Sequence, residues 1–146
     1  MRPMYTGLQH LHSYFAYLLL AVLVYSLIYS IVMFVRKRPF TEKVRKVALV
    51  GFIATHLQLV IGLILYVVSP RGLSNFSGEA MGESLSRLYI LEHPLTMIIA
   101  IVLISIGYIK AKKPGDDVRR YRTIILFYLL GLALILLRIP WQVWPS

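Results

Sequence analysis

Leu91-Glu92-His93-Pro94 sets an acid, an imidazole and a proline at the start of an otherwise apolar stretch. An ionisable side chain at membrane depth costs a few kcal/mol, so those that persist there are functional candidates. His12, His56 and Arg138 share that character with His93. Neutral imidazoles on separate helices ligate a metal ion or a haem iron, and a guanidinium nearby suits a carboxylate such as a haem propionate or Glu92. His12, His56 and His93 are therefore the candidate metal or haem ligands, and Arg138 the candidate partner for an anionic group. His10 lies two residues from His12, about 200° away around a helix, so only one of the two faces a bundle interior. His12 takes that role, and His10 falls at the interface.

Other chemistries lack residues. The chain has no cysteine, which excludes thiolate metal sites, covalent c-type haem attachment and disulfides. It has six acidic residues, of which Glu79, Glu83, Asp116 and Asp117 fall in loops, and no nucleophile-base motif, phosphate loop or paired-carboxylate site. Hydrolase or transferase chemistry has nothing to work with, and redox chemistry carried by a cofactor is the natural class. The net charge of +10 does not indicate nucleic acid. All of the 16 Lys and Arg except Arg2, Arg71, Arg87 and Arg138 sit in two short connections between apolar blocks, where membrane topology accounts for them.

Four apolar blocks, at about 12–35, 47–68, 89–109 and 123–143, each hold roughly the 20 residues that cross about 30 Å of hydrocarbon. The first block is too long for a signal-peptide core and has its positive charges after it, so it reads as a retained span. Arg36-Lys37-Arg38-Pro39 stops the first span, Ser69-Pro70-Arg71-Gly72 the second, and Lys110 to Pro114 the third. Thr41 is placed to cap the second helix. The connection from Ser69 to Ser86 is polar and lies on the surface, and Trp141 and Trp144 anchor the far interface. The expected fold is an all-α integral membrane four-helix bundle, one domain over 1–146, running up-down-up-down. The positive-inside rule puts both termini outside the cytoplasmic face.

At about 1.5 Å per residue from the basic ends, His56 lies some 15 Å up its span, Arg138 roughly 22 Å and His93 about 25 Å, with His12 near the outer interface. The face of His93 runs through Met97, Ala100, Ile104 and Gly107, that of His12 through Ala16, Leu19, Leu23 and Ser26, and that of Arg138 through Leu134, Gly131 and Phe127. Small residues on those faces make room for a macrocycle, or simply let helices approach. His93 belongs to every site that can be built, opposite either His12, if spans one and three are diagonal, or His56. A lone histidine in such a helix also serves as an interhelical hydrogen bond, and Arg138 as a partner for Glu92. Gln58 is a candidate for a quinone head group, and Tyr25 and Tyr29 lie deep enough to need partners inside. Pro94 starts or kinks span three at His93.

Thr6-Gly7-Leu8-Gln9-His10-Leu11-His12-Ser13, Thr55-His56-Leu57-Gln58 with Gly62 and Tyr66, Glu92-His93 and Ile139-Pro140-Trp141 resemble the pattern of small four-span bacterial proteins described as cytochrome b-like. A more distant likeness is to the four-helix haem-binding halves of haem A synthase, where the ligating histidines sit on the second and fourth helices; the fourth span here has none. The resemblance implies a multi-pass protein of the bacterial inner membrane that binds haem b and exchanges electrons with a quinone or a respiratory subunit. A non-catalytic subunit or assembly factor of a larger membrane complex, and a metal-ion or proton pathway along His12, Glu92, His93 and His56, are the alternatives.

Overall fold

The computed structural model describes residues 2–145, and those residues form helices and turns without a strand. Helix α1 is Arg2–Val35 and α2 is Glu42–Val68. The connection after α2, expected as a surface loop, instead folds into a 3-10 turn at Leu73–Asn75 and two short helices, α3 (Gly78–Gly82) and α4 (Ser84–Arg87). A π turn over Leu88–Glu92 leads into α5 (His93–Ala111), and α6 is Asp117–Arg138. Among the described residues four helical stretches are long and apolar enough to cross a membrane: Arg2–Val35, Glu42–Val68, Ser84–Ala111 and Asp117–Arg138. Extensive packing runs from α1 to α2, α2 to α5, α5 to α6 and α6 back to α1, a closed ring that sets α1 opposite α5.

Proline chemistry shapes the helix ends around His93. Pro94 lacks the N–H that the carbonyl of Ile90 would receive in an α-helix. That carbonyl accepts instead from the Tyr66 hydroxyl of α2 at 2.8 Å. The chain also stays helical through His93, whose N–H donates to Leu88 O across the wider π spacing. Span three is thus continuous, with a local change of winding where the sequence pointed to a start or a kink.

At the end of α6, Pro140 does the same to the carbonyl of Leu136, which accepts from the Trp141 indole at 2.8 Å. Leu137 O accepts from Arg138 Nη1 at 3.1 Å, and Arg138 O from His93 Nδ1 at 2.7 Å. The orphan carbonyls of a helix terminus are satisfied by three side chains. This stop ends α6 at Arg138, not near 143. Trp144 turns inward, donating to Ser13 O at 2.9 Å and stacking on Tyr17 at 4.4 Å, while Trp141 stays exposed as an interfacial ring would.

The half of the bundle next to the basic connections is closely packed. Tyr128 donates to Ala48 O at 2.6 Å, Tyr121 to Pro39 O at 3.0 Å, Ser26 to Val47 O at 2.8 Å, and Arg45 to the Tyr108 hydroxyl at 2.7 Å. A Cβ on Gly107 would fall 2.6 Å from Phe127 Cβ, and one on Gly131 2.5 Å from Ile104 Cγ1. These glycines let α5 and α6 touch, so they supply no room for a ligand. Tyr25, expected to need an internal partner, is exposed on the outer face of α1. Thr41 occupies the N-cap position of α2 without a side-chain capping bond.

Candidate functional site

The opposite half of the bundle holds a cavity of about 170 Å³ between α1, α2, α5 and the end of α6, with His12, Gln58, Gly62, Arg71, Tyr89 and His93 in its wall. Each long helix delivers its contribution for a local reason. α1 brings His12 across the bundle from His93, the ring centres 6.1 Å apart and the ring planes at 88°. α2 offers Gly62 to the His12 ring, since a Cβ there would lie 3.0 Å from His12 Cε1. The π turn and Pro94 set the phase of α5 at His93, and the unpaired end of α6 anchors its ring.

The tautomer of His93 follows from its partner. A carbonyl only accepts, so Nδ1 carries the proton given to Arg138 O and Nε2 keeps its lone pair. A ring nitrogen tied to a backbone carbonyl while the other is left free is the usual arrangement of a metal-ligating histidine. His12 differs: its Nδ1 is buried with no hydrogen-bond partner in the protein. Gln58 Oε1 is the second such atom among the described residues, although Gln58 Nε2 donates to His12 O at 2.7 Å. Leaving a polar atom buried and unpaired costs about 1–3 kcal/mol, which marks this wall as a place that expects another group.

Two of the sequence candidates lie elsewhere. His56 is held on α2 by Nδ1 donating to Phe52 O at 2.7 Å, and its Nε2 meets the Ser105 hydroxyl of α5 at 3.0 Å. Both nitrogens are satisfied, so His56 links two helices and does not join His12 and His93. The three-histidine metal set is not assembled: among the described residues no group of three or more His, Asp or Glu is placed to hold a metal ion. Arg138 faces Glu92 at 3.8 Å, and the same carboxylate takes Arg87 Nε at 2.9 Å. Its contribution to the site is the backbone carbonyl that orients His93, not the guanidinium. Glu92 pairs with the two arginines. His10 is exposed beside Tyr14, as expected.

Arg71 is the cation in the cavity wall. It sits 5.6 Å over the Tyr89 ring and belongs to none of the ion pairs among the described residues, which join Arg45 to Glu42, Arg87 to Glu92 and Arg138 to Glu92. The sequence pointed to Arg138 because that residue interrupts an apolar span, whereas Arg71 is in the connection and gave no such signal. Gln58 and Gly62 were separately visible, but their four-residue spacing, which puts them on one face of α2, is what pairs them with His12.

The His12–His93 ring-centre spacing is the dimension to compare with two imidazoles on one iron. Two imidazoles holding one iron from opposite sides, each nitrogen roughly 2 Å from the metal, have ring centres about 6 Å apart. Comparison with known protein families, with characterised proteins and with solved structures finds no match for this chain.

Proposed function

We propose that the chain is a multi-pass protein of the bacterial inner membrane, running up-down-up-down with both termini outside the cytoplasmic face. It binds haem b between His12 and His93 and exchanges electrons with a quinone or a respiratory membrane subunit. The observation that carries this reading is the pair of imidazoles from opposite helices, 6.1 Å apart across one cavity. The topology is supported by hydrogen bonds that tie the start of α1 to the end of α2 and the start of α5 to the end of α6. The concentration of Lys and Arg in the two connections at the other end gives the direction.

In this reading His12 and His93 are the ligands, Arg71 is the partner for a propionate, and Gly62 keeps the His12 ring from being displaced. The haem supplies one-electron redox chemistry when bound. The residues exclude water on the closely packed side, where Thr55 is fully buried, and leave a polar edge at Arg71 and Tyr89. Typical ligand pockets measure about 300–1,000 Å³, so loading this cavity requires adaptable side chains in its wall, Met97 foremost, to swing aside.

The test is the haem content and absorption spectrum of single alanine variants expressed with ample haem. His12→Ala and His93→Ala are expected to lose the low-spin, two-imidazole spectrum, while His56→Ala and His10→Ala retain it. Loss in His56→Ala with retention in His12→Ala would assign the site to the wrong pair.

A further inference from the structure

His93 has its tautomer set by a carbonyl at the end of α6; His12, its counterpart, is buried with Nδ1 unpaired. We infer that Gln58 is the positioning residue for His12: its Oε1 accepts the Nδ1–H of that ring, directly or through one water, and so leaves the Nε2 lone pair of His12 for a ligand. The orientation of the Gln58 amide is fixed, because the group donating to His12 O must be the NH₂, which leaves Oε1 as the remaining end. That oxygen can only accept. The side chain is 8% exposed, and the oxygen has no donor in the protein.

Two orphan atoms therefore share one cavity wall, and one of them has a choice. With the proton on Nε2, His12 Nδ1 and Gln58 Oε1 would both be acceptors, joined only by a water that spends both of its hydrogens on them. With the proton on Nδ1, one link satisfies both. α2 holds His12 at two points on one face, Gln58 Nε2 on its backbone and Gly62 beneath its ring with a Cβ position 3.5 Å from Nδ1, and Gln58 Oε1 lies on the same side chain as the first of them. The arrangement gives His12 the tautomer that His93 already has, so both rings present Nε2. The same dependence on an outer hydrogen bond is general for ligating histidines, where the acceptor also tunes how strongly the ring donates to a metal.

The functional consequence rests on the haem reading, but the test of the hydrogen bond does not. Nitrogen-15 spectra of the full-length, histidine-labelled protein in lipid nanodiscs report the tautomer directly. His12 in the wild-type protein is expected to show a pyrrole-type Nδ1 and a pyridine-type Nε2, and Gln58→Leu is expected to bring in the other tautomer. A wild-type His12 protonated at Nε2 would overturn the inference without any variant having to fold. With haem added, Gln58→Glu, a stronger acceptor, is expected to lower the midpoint potential, and Gln58→Leu to raise it. Potentials that shift together would also overturn the inference. The expected wild-type tautomer without any haem spectrum would leave the Gln58 role standing and remove the haem reading instead.

Discussion

The two halves of this bundle solve the same packing problem in opposite ways. In the half beside the basic connections, Ser26, Ser30, Tyr121 and Tyr128 are buried and each hydroxyl reaches a backbone carbonyl. Gly107 and Gly131 close α5 onto α6 until no methyl group fits. In the histidine half, Gly62 closes onto an imidazole, a cavity stays open, and the two unpaired buried atoms found among the described residues, His12 Nδ1 and Gln58 Oε1, both belong to residues of its wall. Natural sequences satisfy their local rules except where function requires otherwise. The contrast is what favours the histidine end for the proposed site.

Substitutions at the glycines separate the halves most sharply. Gly131→Leu forces a side chain into Ile104 and the Ala100 backbone, and it is expected to cost about 1–3 kcal/mol or more, read as a lower denaturation temperature in detergent. Gly62→Ala meets only the edge of a ring at 3.0 Å, so it is expected to weaken haem binding while leaving that temperature nearly unchanged. Equal losses of stability at both positions would erase the distinction. Tyr128→Phe leaves Ala48 O without its side-chain donor and is expected to cost about 0.5–1.5 kcal/mol with normal haem content. His56→Ala removes the bond to Ser105 and is expected to cost about 0.6 kcal/mol, the average for interhelical bonds in a membrane, again with haem retained.

The smallest effect lies in the connection before α5. Glu83 caps α4 through the amides of Leu85 and Ser86 at 3.0 and 2.7 Å. Its carboxyl titrates below the ordinary glutamate range because of hydrogen bonds from the Ser86 side chain and then the Ser86 and Leu85 backbone. A depressed folded value means the cap contributes fully above the ordinary range and fades as pH falls through the lowered value. Amide exchange at Leu85 and Ser86, corrected for its intrinsic pH dependence, is expected to lose protection in that acid window, and Glu83→Gln to remove the transition.

Much of the fold was legible because lipid imposes a simple rule: four apolar stretches, each bounded by charge or proline, must be helices. The pairing of His12 with His93 was one of two readings, and the diagonal placement of α1 and α5 that favours it follows from the ring of helix contacts. The depth estimate of a straight helix separated the two histidines by around 9 Å. It missed their approach because helix tilt is not written in local sequence; the π turn lies beyond His93 and leaves its depth from the basic end unchanged. Arg138 pairs with Glu92, one of its two expected partners, but the role of its backbone was not legible. Its charge drew notice, yet its carbonyl does the work, since Pro140 ends α6 there and frees that oxygen for His93. Tyr66 reaching the carbonyl of Ile90, left open by Pro94, across 24 positions is likewise invisible to any reading of neighbours.

The absorption spectrum of the purified full-length protein, with and without His12→Ala, tests the central claim most directly. A Soret band of low-spin, two-imidazole character in the wild type that disappears in the variant is expected. A wild type that takes up no haem under ample supply, or a variant that keeps an unaltered band, would contradict it.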